Sequence, residues 1–160
     1  HARLKAAAEN SGKLVSIVRS EARRIAEERD RSLVIVDGPP GIGRPVIASL
    51  TGASLAVIVT EPTVAGEHDL MRVLDLARHF RIPACVCLNK WDLNTEATER
   101  IEQAAVSAGA ELAGRIRYDR LVTTAQMNGK ASVETKAPAA ADIRRIWDRV
   151  VEAAYKTQGA

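Results

Sequence analysis

Three short runs of consecutive apolar residues constrain this chain more than any other feature: Leu33-Val34-Ile35-Val36, Leu55-Ala56-Val57-Ile58-Val59 and Ala84-Cys85-Val86-Cys87-Leu88. A strand with one wet face alternates apolar and polar residues, whereas an unbroken branched run fits a strand buried on both faces. Helical patterns fill the intervals, over 45–51, 67–80 and 95–108, the last opened by Asn94 and closed by Gly109. An amphipathic helix is predicted ahead of them over 11–29, with Leu14, Val18 and Ile25 on its apolar side and Ser11 as the candidate cap. Beyond them come a weaker strand over 112–117, a short helix over 120–127 and linker chemistry over 129–138. A final helix over 139–155 carries Ile143, Ile146, Trp147, Val150, Val151 and Ala154 as the stripe that covers a sheet face. Strands alternating with helices predict an α/β fold with a mainly parallel sheet.

At 160 residues, 46% hydrophobic and 27% charged, the chain can bury one globular core. No stretch reaches the roughly 20 apolar residues of a membrane span, and no signal-peptide run follows the first residues, so a cytoplasmic location is expected. Cys85 and Cys87 are two apart in one run, which predicts buried free thiols on one sheet face. The 23 Lys and Arg are interspersed with 20 Asp and Glu, aromatic residues make up 3%, and no helix-turn-helix or zinc-finger spacing is present, so specific nucleic-acid binding is not expected. The chain starts at His1, which reads as part of a longer protein.

In open α/β sheets ligands bind beyond the carboxyl ends of the strands. Here those ends carry Asp37-Gly38-Pro39-Pro40-Gly41, Thr60-Glu61-Pro62-Thr63, Asn89-Lys90-Trp91-Asp92 and Tyr118-Asp119, all expected on one sheet edge. An acidic residue directly after a strand suits Mg2+ held through water, which makes Asp37 the metal candidate. The stiff Pro-Pro turn behind it would let the Gly41 N–H approach a terminal phosphate. Asn89-Lys90-Trp91-Asp92 matches Asn-Lys-x-Asp, whose carboxylate accepts from guanine; the Asn amide alone serves the amino group and N7 of adenine. The motif leaves the base open. Asn10-Ser11-Gly12-Lys13 lacks the upstream glycine and the following Ser or Thr of a phosphate loop. His68-Asp69 reads as helix-start solvation, Lys90 and Trp91 as packing and solvent contacts, and Arg44 as surface solvation.

The segments Leu-Val-Ile-Val-Asp-Gly-Pro-Pro-Gly-Ile-Gly, Val-Ile-Ala-Ser-Leu-Thr-Gly-Ala, Val-Thr-Glu-Pro-Thr, Leu-Asn-Lys-Trp-Asp-Leu-Asn and Arg-Tyr-Asp together resemble the MinD/ParA-superfamily P-loop ATPases that carry an inserted ferredoxin domain. The resemblance runs over about 9–134 and includes 10–14, similar to the segment by which those proteins re-enter the ATPase domain. It implies a three-layer P-loop fold and a deviant Walker A ATPase that closes as a homodimer over ATP and Mg2+, coupled to iron–sulfur or redox partners. Asp37 would be the Walker B or switch residue, Gly41 a γ-phosphate sensor and Asn89 the adenine contact, with Glu61, Asp92, Tyr118 and Asp119 on the same nucleotide edge. The phosphate loop, its lysine and the cluster domain are not in this sequence, and two cysteines cannot supply the four thiolates of a cluster. The chain is therefore expected to be the carboxyl-terminal part of such an ATPase, inactive alone. A catalytically dead binding module and a GTPase-like switch using Asp92 are the alternatives.

Overall fold

The computed structural model describes residues 11–157, with side chains from Lys13 onward. Asn10, the start of the family-like region at about residue 9, and the Ser11 side chain expected to cap the first helix lie outside the described residues. The chain forms two compact units that divide between Ala53 and Ser54.

In the first unit, α1 spans Ser11–Glu28 and α2 spans Arg44–Leu50. Pro45 suits the first turn of α2, where its missing N–H has no partner to lose. The carbonyls at the other end of α2 are met from α1: Arg19 Nη1 donates to Ala48 O at 2.8 Å and also to Thr51 O. The expected strand over 33–36 is not formed. The segment has no ladder partner among the described residues, and its four apolar side chains are exposed, Ile35 by 72%. A strand exists through its neighbours' hydrogen bonds, and the described part of this unit supplies two helices and no second strand.

The second unit is a three-layer α/β sandwich. Strands β1 (Ala56–Thr60), β2 (Ala84–Asn89) and β3 (Glu111–Ile116) lie side by side in that order, both pairs parallel. The crossovers are α3 (Val64–His79) and α4 (Thr95–Ser107). Both pack on one sheet face, where Leu70, Leu74, Ile101 and Ala105 meet Val86 and Leu88. Short α5 (Arg120–Met127) and long α6 (Pro138–Lys156) follow β3. On the opposite face α6 lays Ile146 and Ala153 against Cys85, Cys87 and Ala113. The two thiols share that face, free and buried as expected, and burial pushes the Cys87 thiol up to about 11.

The local signals explain most boundaries. Asn94 caps α4 by accepting the Ala97 N–H at 3.0 Å, and Gly109 follows that helix at φ +87°. α3 starts three residues earlier than the apolar pattern indicates, because Thr63 accepts the Gly66 N–H at 2.9 Å and caps it there. In β3, Gly114 at φ +142° sits at a register irregularity, and a Cβ there would lie 2.9 Å from Ile146 Cγ1, so the glycine admits α6. The stretch over 129–138 is not a bare linker: it contains a 3₁₀ turn at Ser132–Glu134 whose Val133 carbonyl accepts from Arg144 of α6.

Two burial expectations are corrected. β1 is not buried on both faces: Val57 and Val59 are 43% and 60% exposed. They stand beside Cys85 and Cys87 in the ladder, one strand beyond the reach of α6. Trp147 is 45% exposed, because α6 is turned so that Asp142, Ile146 and Ala153 face inward. The outer edge of β3 is guarded by Arg149, whose Nη1 donates to Ala113 O at 3.3 Å, and by Arg115, paired with Glu102 at 2.6 Å.

Candidate functional site

Beyond the carboxyl end of β1 the chain turns sharply into α3. The buried Thr60 hydroxyl donates to Gly66 O at 2.9 Å, and glycine is required at 66, since a Cβ there would collide with the Glu61 carbonyl and lie 2.9 Å from Thr60 Oγ1. This turn sets Glu61 opposite the end of β2. Glu61 Oε1 accepts from Asn89 Nδ2 at 3.3 Å and pairs with Lys90 Nζ at 2.7 Å.

Lys90 has left-handed backbone, φ +56°, an uncommon state for a residue with a side chain that costs about 1–3 kcal/mol where it persists. The reversal starts a 3₁₀ turn at Trp91–Leu93, fastened where the fully buried Thr98 hydroxyl donates to Trp91 O at 2.9 Å. Trp91 packs on the core and carries the Arg115 guanidinium 5.3 Å above its ring. The same turn delivers Asp92 to the end of β3, where its Oδ1 accepts the Tyr118 N–H at 2.7 Å.

Asp119 caps α5 through the Leu121 N–H at 2.9 Å, and its second oxygen accepts the Ala139 N–H in the first turn of α6 at 3.2 Å. Arg117 is bound to Asp142, the one buried carboxylate among the described residues, at 3% exposure. Its Nε and Nη2 donate at 2.7 and 3.1 Å and its backbone N–H at 3.2 Å. The Arg117 hydrogen bonds hold the Asp142 carboxyl below its ordinary range, against burial, which pushes it up.

Glu61, Asn89, Asp92, Tyr118 and Asp119 thus occupy the carboxyl ends of three adjacent parallel strands in one unit. Asp37 and Gly41 belong to the other unit: Asp37 is exposed and outside any helix or strand, and Gly41 is at φ +87° with open space around its Cα. A single hydrated carboxylate fits a metal bound through water and not an all-protein cage, and no group of three His, Cys, Asp or Glu suited to a metal occurs among the described residues. The Asn89 amide directs one N–H toward Glu61, and an amide so held, with its second N–H and its carbonyl oxygen, suits a purine edge. His68 and Asp69 are both exposed, 3.5 Å apart on the first turns of α3. No described helix is long and apolar enough to cross a membrane.

Sequence reasoning missed Lys90 as the ion-pair partner of Glu61, gave Thr60 and Arg117 no role of their own within their motifs, and did not single out Gly66 or Asp142. Asp142 did leave a signal: it lies four residues before Ile146, on the buried stripe of α6, where an acid must have a partner.

No protein-family model matches the chain. Over 84 residues, 52% of this chain, it is 31% identical to the uncharacterized protein MJ0578 of Methanocaldococcus jannaschii, of whose length it spans 29%. The Pyrococcus furiosus cell division ATPase MinD superposes at TM-score 0.71 with 16% identity, over 89% of this chain and 59% of that one. The Aquifex aeolicus MinD cell division protein superposes at 0.68 with 22% identity, over 84% and 61%. MinD in the Aquifex aeolicus MinC:MinD complex gives 0.71 with 23% identity, over 86% and 59%. The chain therefore spans about three-fifths of the MinD chains it matches. At these identities the likeness is one of architecture, and the chain has the α/β, P-loop NTPase fold of the MinD ATPases.

Proposed function

We propose that this chain is the carboxyl-terminal part of a MinD-type ATP-binding domain and supplies its base-recognition edge and its magnesium-side switch. The observation that carries the reading is the gathering of Asn89, Glu61, Asp92, Tyr118 and Asp119 beyond three parallel strands of a MinD-like fold. The Asn89 amide takes the amino group and N7 of adenine, the pairing an amide side chain makes with that base. Glu61 orients the amide, and Lys90 neutralises Glu61. Tyr118, exposed, presents its ring at the edge of the site.

Adenine is favoured over guanine by the work Asp92 already does. A guanine reader needs its carboxylate oxygens for the N1–H and amino donors, and one oxygen of Asp92 is held by the Tyr118 N–H. Asp92→Ala is expected to leave no GTP preference to lose. A preference for GTP over ATP that vanishes in that variant would establish the guanine switch instead.

Asp37 would hold Mg2+ and the Gly41 N–H would meet a terminal phosphate, with Mg2+ supplying charge neutralisation when bound. Phosphoryl transfer depends on a phosphate loop and its lysine, and this sequence contains neither. The chain alone accordingly binds the base weakly and does not turn over ATP. Asp37-dependent ATP hydrolysis by the purified chain would overturn that. The complete protein is read as a homodimer coupled to iron–sulfur or electron-transfer partners. That part rests on the sequence resemblance, and its test is iron and sulfide analysis of the complete protein: absence of clusters after anaerobic purification would remove it.

A further inference from the structure

We propose that Asp142, which lies on the far face of the sheet and touches no candidate ligand position, is a positioning residue for base recognition, acting through Arg117 on the loop that presents Tyr118 and Asp119. The proposal rests on the base-edge reading above and extends it to a residue outside the site.

The argument starts from what the ladder does not hold. β3 ends at Ile116, so residues 117–119 have no strand neighbour to fix them. Each is nevertheless tied by one carboxylate. The Arg117 N–H and guanidinium go to Asp142 on α6, the Tyr118 N–H goes to Asp92 in the turn after β2, and Asp119 accepts from Leu121 on α5 and Ala139 on α6. Three successive residues are thus pinned to three separate pieces of the unit. This over-determination suits a segment that must hold one geometry against a ligand, since a site loosened by about 1 Å loses much of its recognition.

Among the three carboxylates Asp142 differs. Asp92 and Asp119 are at or beside the candidate site, whereas Asp142 is on the buried side of α6 and takes both prongs of the Arg117 fork as well as its backbone N–H. Arg145, one turn along α6 and mostly exposed, also donates to Asp142. A buried carboxylate is retained against its desolvation cost where its geometry matters, with registry as the best-attested use. Here it sets the register of the segment leaving β3.

The test is amide-resolved NMR titration of the chain with adenosine, and with inorganic triphosphate as the probe lacking a base. Adenosine is expected to shift the Asn89 and Tyr118 resonances of the parent chain. In Asp142→Asn and in Arg117→Gln, which keeps the backbone N–H, its Kd is expected to rise about tenfold while β2 resonances stay in place. Arg145→Gln removes only the outer arginine and is expected to bind as the parent does. Because Asp142→Asn removes a buried charge and is the variant at risk of misfolding, Arg117→Gln decides the matter alone if that occurs. An unchanged adenosine Kd in folded Arg117→Gln overturns the positioning role and leaves the base edge standing. Equal losses in Arg145→Gln and Arg117→Gln overturn it too, reducing the cluster to general helix packing. No adenosine shift at Asn89 or Tyr118 in the parent, or shifts identical with triphosphate, overturns the base edge and the positioning role with it.

Discussion

Replacing Gly66 by alanine tests the turn that sets Glu61. Two opposed effects are at work. Alanine in place of glycine in a helix is favoured by about 0.8–1.0 kcal/mol. Against this, the new methyl meets Thr60 Oγ1 at 2.9 Å and Thr63 Oγ1 at 3.1 Å, and the Glu61 carbonyl closer still, where comfortable non-bonded separations are about 3.5–4.0 Å. The nearest atom is backbone, so no rotamer change relieves the clash. The turn must open, at an overpacking cost of about 1–3 kcal/mol and with loss of the Thr63 cap, worth about 1 kcal/mol. The clash wins, for a net loss of about 2 kcal/mol and a fall in Tm of roughly 4–8 °C at this chain length. Urea unfolding followed by far-ultraviolet circular dichroism measures it. A Gly66→Ala chain as stable as the parent would refute the reasoning, because the β1–α3 turn would then be slack and Glu61 not held by it.

The Asp142 carboxyl is depressed in the folded chain, so the stability it contributes is present above its unfolded value of about 3.9 and is lost as pH falls through the lower folded value. Asp142→Asn is expected to cost about 1–3 kcal/mol at neutral pH, discounted because Arg117 is half exposed. The difference between parent and variant in urea midpoints should shrink as pH is lowered from about 5 toward 2; a gap independent of pH would assign the loss to packing. Cys85 and Cys87 are buried thiols whose ionisation burial disfavours, Cys87 at about 11. A thiol–disulfide exchange reagent is expected to label them in the native chain only at the rate of opening, and both at once in denaturant. Fast labelling of the native chain would contradict the buried central strand.

What the sequence made legible was whatever depends on neighbours along the chain. The apolar run over 84–88, the Asn94 and Gly109 caps and the helix over 120–127 are local signals, and the structure has them in place. Burial of a run, by contrast, depends on what flanks it in space. The runs over 33–36 and 55–59 look alike in composition to 84–88, yet only the last is central; the first has no described ladder partner and the second is an edge. Trp147 follows Ile146 directly on α6, and the apolar pattern does not tell which of the two faces the sheet; in the structure it is Ile146, packed against Gly114. Of the candidate site, the strand-end positions were legible because topology dictates them. The Glu61–Lys90 and Arg117–Asp142 pairs were not: they join residues 29 and 25 apart on different elements, and no local pattern encodes them.

The two outer strands of this sheet are finished differently. On β3 a bulge, the Arg149 guanidinium over a carbonyl and the charged Arg115 make addition of another strand unfavourable. On β1 no residue from Ala56 to Thr60 carries a charge, and two valines stand in solvent. Of the two outer strands, β1 therefore sets less charge against pairing with a further strand.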